Sequence, residues 1–159
     1  MVSIEEYQEK YLDAISELII RNLKEINSKD YGIEKTNEMA KDFSVDKLKE
    51  IFKKREKVYI ALNNDEVVGT AGLDKSWYSD DEYWILTVFV KPEYHKQGIG
   101  KKLIEKIEDF AFSLPIKKLI VPASITAHQF YYKLGYNYKD GKKVLNDEHM
   151  YIMEKLINN

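Results

Sequence analysis

The chain contains no cysteine. Disulfides, thiolate metal sites and a cysteine nucleophile are therefore excluded. It also lacks a surplus of charge of either sign: acids and bases are mixed along its length, and the formal net charge is -2. Such a balance gives no basic footprint for nucleic acid and no polybasic patch for a membrane surface. No window approaches the roughly 20 apolar residues of a membrane span. The opening MVSIEEYQEK is acidic and lacks the apolar stretch of a signal peptide. A cytoplasmic location is expected on these grounds. The three histidines, His95, His128 and His149, are spread without ligand spacing, so no metal site is expected. There is no Pro/Gly/Ser-rich linker, repeat or low-complexity tract, and the length of 159 residues suits a single domain over 1–159.

Aromatic residues are plentiful instead, at 13 %, with tyrosine alone supplying 12. Tyrosine packs a ring while keeping a polar tip, which suits a cleft or a partner surface. Leu12, Ile15, Leu18, Ile19, Leu23 and Ile26 follow helical spacing, and Val45, Leu48, Ile51 and Phe52 give a second helix with Ser44 as its N-cap. Between them, residues 27–43 are polar and read as a loop or lid. The period then shortens. Residues 57–62 and 66–73 read as a hairpin around Asn63-Asn64-Asp65, and 83–90 as a central strand. Leu103, Ile104, Ile107, Phe110, Ala111 and Leu114 form the clearest amphipathic stripe, closed by Pro115. A short strand at 118–121, a helix at 126–134 ended by Gly135, and strands at 136–144 and 149–156 complete an α+β fold with a mixed sheet.

The chemistry concentrates in residues 86–102, LTVFVKPEYHKQGIGKK. A helix starting near Gly98 leaves its first amides without intrahelical acceptors. Glycines at 98 and 100 let a ligand approach the backbone closely. Free amides, the helix dipole and Lys96, Lys101 and Lys102 together suit an anion such as a phosphate or pyrophosphate. Two nucleotide loops fail on spacing. Walker A needs glycine where His95 stands and Ser or Thr where Lys102 stands, and the dinucleotide fingerprint needs glycine where Leu103 stands.

The segment instead resembles motif A of the GCN5-related N-acetyltransferase (GNAT) superfamily, Gln/Arg-x-x-Gly-x-Gly/Ala after a strand ending Val-x-Pro. Val90-Lys91-Pro92 and Gly98-Ile99-Gly100 carry the match. Downstream, Ser124-Ile125-Thr126-Ala127-His128-Gln129-Phe130-Tyr131-Tyr132-Lys133-Leu134-Gly135-Tyr136 is similar to the family's Asn-x-x-Ala-x-x-Phe/Leu-Tyr-x-x-x-Gly-Phe/Tyr motif. Two positions depart from the pattern: His95 stands where Gln or Arg is usual, and Ser124 where Asn is common.

The resemblance implies a mixed, mostly antiparallel central sheet flanked by about four helices and splayed between its fourth and fifth strands. It further implies acetyl-CoA as cosubstrate, without a metal. Backbone groups of Val88 and Val90, with Phe89 between them, would pair with the pantetheine arm. His95, Lys96, Gln97, Gly98, Ile99, Gly100 and Lys101 would surround the pyrophosphate, and Ser124, Ala127, Phe130 and Lys133 would complete the cofactor site. Tyr131 matches the tyrosine that protonates the departing thiolate; read from its stripe alone, with Phe130 and Leu134, it is a core residue. Glu82 is the candidate base, with Asp80, Asp81 and Glu148 as alternatives; read locally, it is a solvated loop acid. The expected activity is acetyl transfer to a primary amine, on a small molecule or a protein N-terminus, by direct attack in a ternary complex. A non-catalytic CoA-binding regulatory module, and a transferase for a longer acyl group or a hydroxyl acceptor, are the alternatives. A homodimer is compatible with all three.

Overall fold

The strands 58–62 and 67–73 are apolar at nearly every position, as expected where helices cover both faces of a sheet. In the computed structural model, which describes residues 1–157, that is the arrangement. The elements are β1 Val2–Glu6, α1 Leu12–Asn22, α2 Ser28–Tyr31, α3 Ile33–Lys41, α4 Val45–Lys54, β2 Lys57–Asn63, β3 Glu66–Lys75, β4 Glu82–Val90, α5 Ile99–Ala111, β5 Lys118–Ala123, α6 His128–Lys133, β6 Asn137–Tyr138 and β7 Tyr151–Leu156. The sheet order is β1-β2-β3-β4-β5-β7-β6, antiparallel except for the parallel pair β4–β5. The α+β architecture read from the sequence is the one observed.

Two cores lie on opposite faces. On one face, Ile99, Leu103, Ile104, Ile107 and Ala111 of α5 pack against Tyr59, Ala61, Val68, Ala71 and Ile85. Each fully buried Ile or Leu in that stripe contributes about 1.5–3 kcal/mol of transfer free energy. On the other face, Leu12, Ile15, Leu18, Ile19 and Leu23 join Leu48 and Phe52 over Val58, Ile60 and Leu62. The strand period of two sends alternate residues of β2 to the two cores.

Several local expectations are corrected. Residues 27–41 are helical apart from Gly32, rather than a loop: α1 runs through a π-helical turn at Leu23–Asn27 into α2, and α3 follows after Gly32 at φ 83°. Among the described residues five helical bodies flank the sheet, in line with the about four expected. An unforeseen strand, β1, covers the edge of β2, with Val2 and Ile4 turned toward the α5 core. At the C-terminal end, β6 is only Asn137–Tyr138, and β7 starts at Tyr151 rather than at 149. Ser44 occupies the N-cap position of α4 but makes no side-chain cap hydrogen bond.

Candidate active-site cleft

The cleft begins where two parallel strands stop pairing. β4 meets β5 only over Glu82↔Lys118, Tyr83↔Leu119 and Trp84↔Ile120. Beyond that point the strands diverge. On the other side of β4, Leu86 faces Gly72 and Phe89 faces Thr70, so Thr87 and Val88 together oppose Ala71 in a β-bulge. Thr87 sits at φ 58°. For a β-branched residue this left-handed conformation costs on the order of 1–3 kcal/mol and needs outside support. Arg55, just past α4, supplies it: its guanidinium donates to Asp74 Oδ2 at 3.1 Å and to Thr87 Oγ1 at 3.2 Å. Its Nε is buried without a partner among the described residues.

The bulge sets which backbone groups face the gap. Lys91 N–H donates to Val68 O at 2.8 Å, so by strand alternation the N–H and C=O of Val90 and Val88 point away from β3, into the splay. Buried backbone groups of this kind require a partner. One already has its own: His95 Nε2–H donates to the Val90 carbonyl at 2.7 Å, which fixes the ring's tautomer.

The resulting cleft has a volume of about 270 Å³. Ile85 to Phe89 of β4 form one wall; Val121, Pro122, Ser124, Ala127 and Tyr131 form the opposite one. Leu23, Asn27, Tyr31, Met39 and Phe43 of the helical layer close it, with Arg55 and Met150. Tyr131 is 5 % exposed. Its hydroxyl has no hydrogen-bond partner among the described residues, and burial pushes its pKa above the ordinary 10. It therefore stays protonated at neutral pH, aimed at the cleft as a donor. Ser124 is occupied locally: its Oγ accepts from Ala127 N–H at 3.2 Å, shaping the turn into α6.

The start of α5 follows the end of β4 and lies outside the cleft lining. Gly98 is its N-cap at φ 82°, a conformation that favours glycine, and Lys96 precedes it at φ 62°. The first helical bond runs from Lys102 N–H to Gly98 O at 3.1 Å, leaving the amides of Ile99, Gly100 and Lys101 without intrahelical acceptors. His95, Lys96, Gln97 and Gly98 are exposed, as are Lys101, Lys102 and, on α6, Lys133. Gln97 Nε2 donates to Glu93 O at 3.2 Å. Arg21 bridges both oxygens of Glu93 at 2.8 Å and so ties this loop to α1. Gly100 has a packing reason to be bare beside the one the sequence suggested. A Cβ there would lie 3.0 Å from Phe130 Cζ, so the missing side chain makes room for that ring. The ring in turn packs edge-on against Tyr131, centroids 5.0 Å apart.

The acids stand elsewhere. Glu82 lies at the closed end of the splay, where it accepts from Ser76 Oγ at 2.9 Å and sits 4.0 Å from Lys118 Nζ. Asp81 is held by Ser79 and Lys117. Asp80 does not line the cleft, and Glu148 is exposed in the segment before β7. Among the described residues no group of His, Asp and Glu could hold a metal ion. Sequence reasoning missed Arg55, Asn27, Tyr31, Met39 and Met150. Arg55 follows Lys53-Lys54 and looks like part of a solvated basic run; the others lie in segments too polar to read as a wall.

Comparison with known proteins agrees with this geometry. A family model described as the acetyltransferase (GNAT) family matches residues 20–136. No curated protein matches the chain. Among solved structures, a PaiA N-acetyltransferase from Thermoplasma acidophilum, in complex with coenzyme A, superposes with a TM-score of 0.84 at 21 % identity over 99 % of both chains. A GCN5-related N-acetyltransferase from Rhodopseudomonas palustris gives 0.80 at 21 % identity, over 98 % of this chain and 95 % of that one. A GNAT-family acetyltransferase from Staphylococcus aureus Mu50 gives 0.77 at 20 % identity, over 99 % and 100 %. At these identities the likeness is one of fold.

Proposed function

Because the chain belongs to the acetyltransferase (GNAT) family, we propose that it moves an acetyl group from acetyl-CoA to a primary amine by direct attack in a ternary complex. One observation carries the reading: a strand edge left unpaired by the splay runs from the free amides of α5 at one end to the unpartnered Tyr131 hydroxyl at the other. In this reading Val88 N–H, Val88 C=O and Val90 N–H pair with the amides of the pantetheine arm. His95 holds the Val90 carbonyl out of that exchange. The amides of Ile99, Gly100 and Lys101 take the pyrophosphate, with Lys96 and Lys101 nearby in charge.

The amine nitrogen attacks the thioester carbonyl, a C–N bond forms, and the C–S bond breaks with its electron pair on sulfur. A thiol has a pKa of about 8.5 in water, below that of the buried Tyr131 phenol, so the phenol donates its hydrogen to the sulfur as the C–S bond breaks, the gain from protonation is modest, and the phenol is then reprotonated from solvent. The proton lost by the amine passes to water, since no carboxylate lines the cleft among the described residues; Glu82, engaged with Ser76 and Lys118, is not given the role of base.

The test is a thiol-release assay with acetyl-CoA against primary amines and peptides bearing free N-termini. Turnover on at least one amine, with the acetyl group recovered on nitrogen, is expected. Binding of acetyl-CoA without turnover on any of them would instead favour the regulatory-module reading. A rate that rises with longer acyl-CoAs, or an O-acetyl product, would favour the other transferases.

A further inference from the structure

The wall that the helical layer gives the cleft carries no charged side chain among the described residues. Leu23, Met39 and Phe43 of the helical layer meet Phe89 of β4 and Met150, with the Phe43 and Phe89 rings edge to face at 6.2 Å. Arg55, the one cation in the lining among the described residues, is bound to Asp74 at 3.1 Å, and the side chains of this pair are only 14 % and 23 % exposed. The charges of the two cancel. The acids lie off the lining: Glu82 is engaged with Ser76 and Lys118, Asp81 with Ser79 and Lys117, and Glu148 is exposed in the segment before β7. Asp30, close to Tyr31, spends both oxygens on Thr126, at 3.1 Å to its N–H and 2.8 Å to its hydroxyl.

Among the described residues, the helical layer gives the lining two polar side chains, Asn27 and Tyr31, one helical turn apart. Neither side chain has a hydrogen-bond partner among the described residues. The π-helical turn at Leu23–Asn27 presents Leu23 and Asn27 together to the cleft, a use typical of such turns at binding sites. Tyr31 is desolvated there: burial, then Asp30 and Glu148, push its pKa up to about 12. A second ammonium placed against the lining itself would meet Leu23, Met39, Phe43, Phe89 and Met150 rather than a carboxylate, because Asp30 and Glu148 act on Tyr31 from outside the lining. Methionines, by contrast, adapt their shape to apolar bodies and to ring edges.

We propose, resting on the acetyltransferase reading above, that the acceptor is a monoamine carried on an uncharged, apolar or aromatic body. Asn27 and Tyr31 hydrogen-bond the atoms next to its amine. Polycationic amines are poor acceptors. The same chemistry is presented by a free arylalkyl- or alkylamine and by the α-amine of an apolar N-terminal residue, and assay arms with each separate the two sources.

The experiment measures kcat/KM by thiol release at fixed acetyl-CoA for phenethylamine, hexylamine, a Met-Leu-initiated peptide, an Asp-initiated peptide and spermidine. An apolar monoamine, free or peptide-borne, should exceed spermidine and the Asp-initiated peptide by about tenfold or more, the factor that 1.4 kcal/mol of differential binding gives. Met39→Glu should reverse the ranking by placing a carboxylate in the wall. Spermidine equal to or better than every apolar monoamine in the wild-type protein would overturn the inference and leave the transferase reading standing. Turnover on no amine at all, with acetyl-CoA bound, would overturn both.

Discussion

Gly100→Ala is expected to destabilise the fold, and to do so only while Phe130 is present. The added methyl would sit 3.0 Å from Cζ and 3.3 Å from Cε1 of that ring, closer than carbon atoms pack, so the ring or α5 must shift. Overpacking of this kind costs about 1–3 kcal/mol. Alanine in place of glycine in a helix returns about 0.5–1 kcal/mol, leaving a net loss of roughly 0.5–2 kcal/mol. For a chain of this size that is about 1–8 °C in the unfolding midpoint. The decisive assay is a double-mutant cycle by urea unfolding on wild type, Gly100→Ala, Phe130→Leu and the pair. With leucine at 130 the clash is gone and only the helix gain remains, so Gly100→Ala should change sign and stabilise. An equal effect of the alanine in both backgrounds would refute the packing account and return Gly100 to a purely ligand-facing role.

Other outcomes follow from the same geometry. Tyr131→Phe should lower kcat by on the order of 10²-fold with the acetyl-CoA KM and the unfolding midpoint nearly unchanged, because its hydroxyl holds no protein group; steady-state kinetics and a melt check both. Arg55→Met strands Asp74 and frees the Thr87 bulge, so about 2–4 kcal/mol of stability should be lost; Thr87→Gly, which accepts φ 58° without strain, should cost less than about 1 kcal/mol, as urea titrations would show. Burial first, then the charge of Lys143, hold the His128 pKa below its ordinary 6.5. The folded state thus resists a proton that the unfolded chain accepts, and stability should fall as pH drops below about 6.5. Midpoints at pH 7.5 and 5.5 should therefore differ more for wild type than for His128→Gln.

The parts of the fold with a strong period were readable in advance. α5 buries Ile99, Leu103, Ile104, Ile107 and Ala111 on one stripe, and no other element type accommodates that spacing. The splay was readable through the two motifs that flank it. α3 was not, because only Thr36 and Ala40 of its nine residues are buried, so it shows no apolar face. β1 was not, because a five-residue edge strand with two inward side chains carries little alternation. The last strands were overread, since the composition of residues 139–150 permits a strand that pairing does not supply. The cleft wall draws Met39, Phe43 and Met150 from those same poorly patterned segments. Arg55 and Gly100 owe their roles to partners far along the chain, Thr87 and Phe130, and no local window contains both members of either pair.

The account rests on the splayed cleft accepting acetyl-CoA, and the most direct measurement is the unfolding midpoint of the wild-type protein across an acetyl-CoA titration. A ligand that binds only the folded state adds about 2.7 kcal/mol at 100 times its dissociation constant, which predicts a saturable rise of roughly 5–11 °C. A midpoint that stays unmoved up to millimolar acetyl-CoA would contradict it.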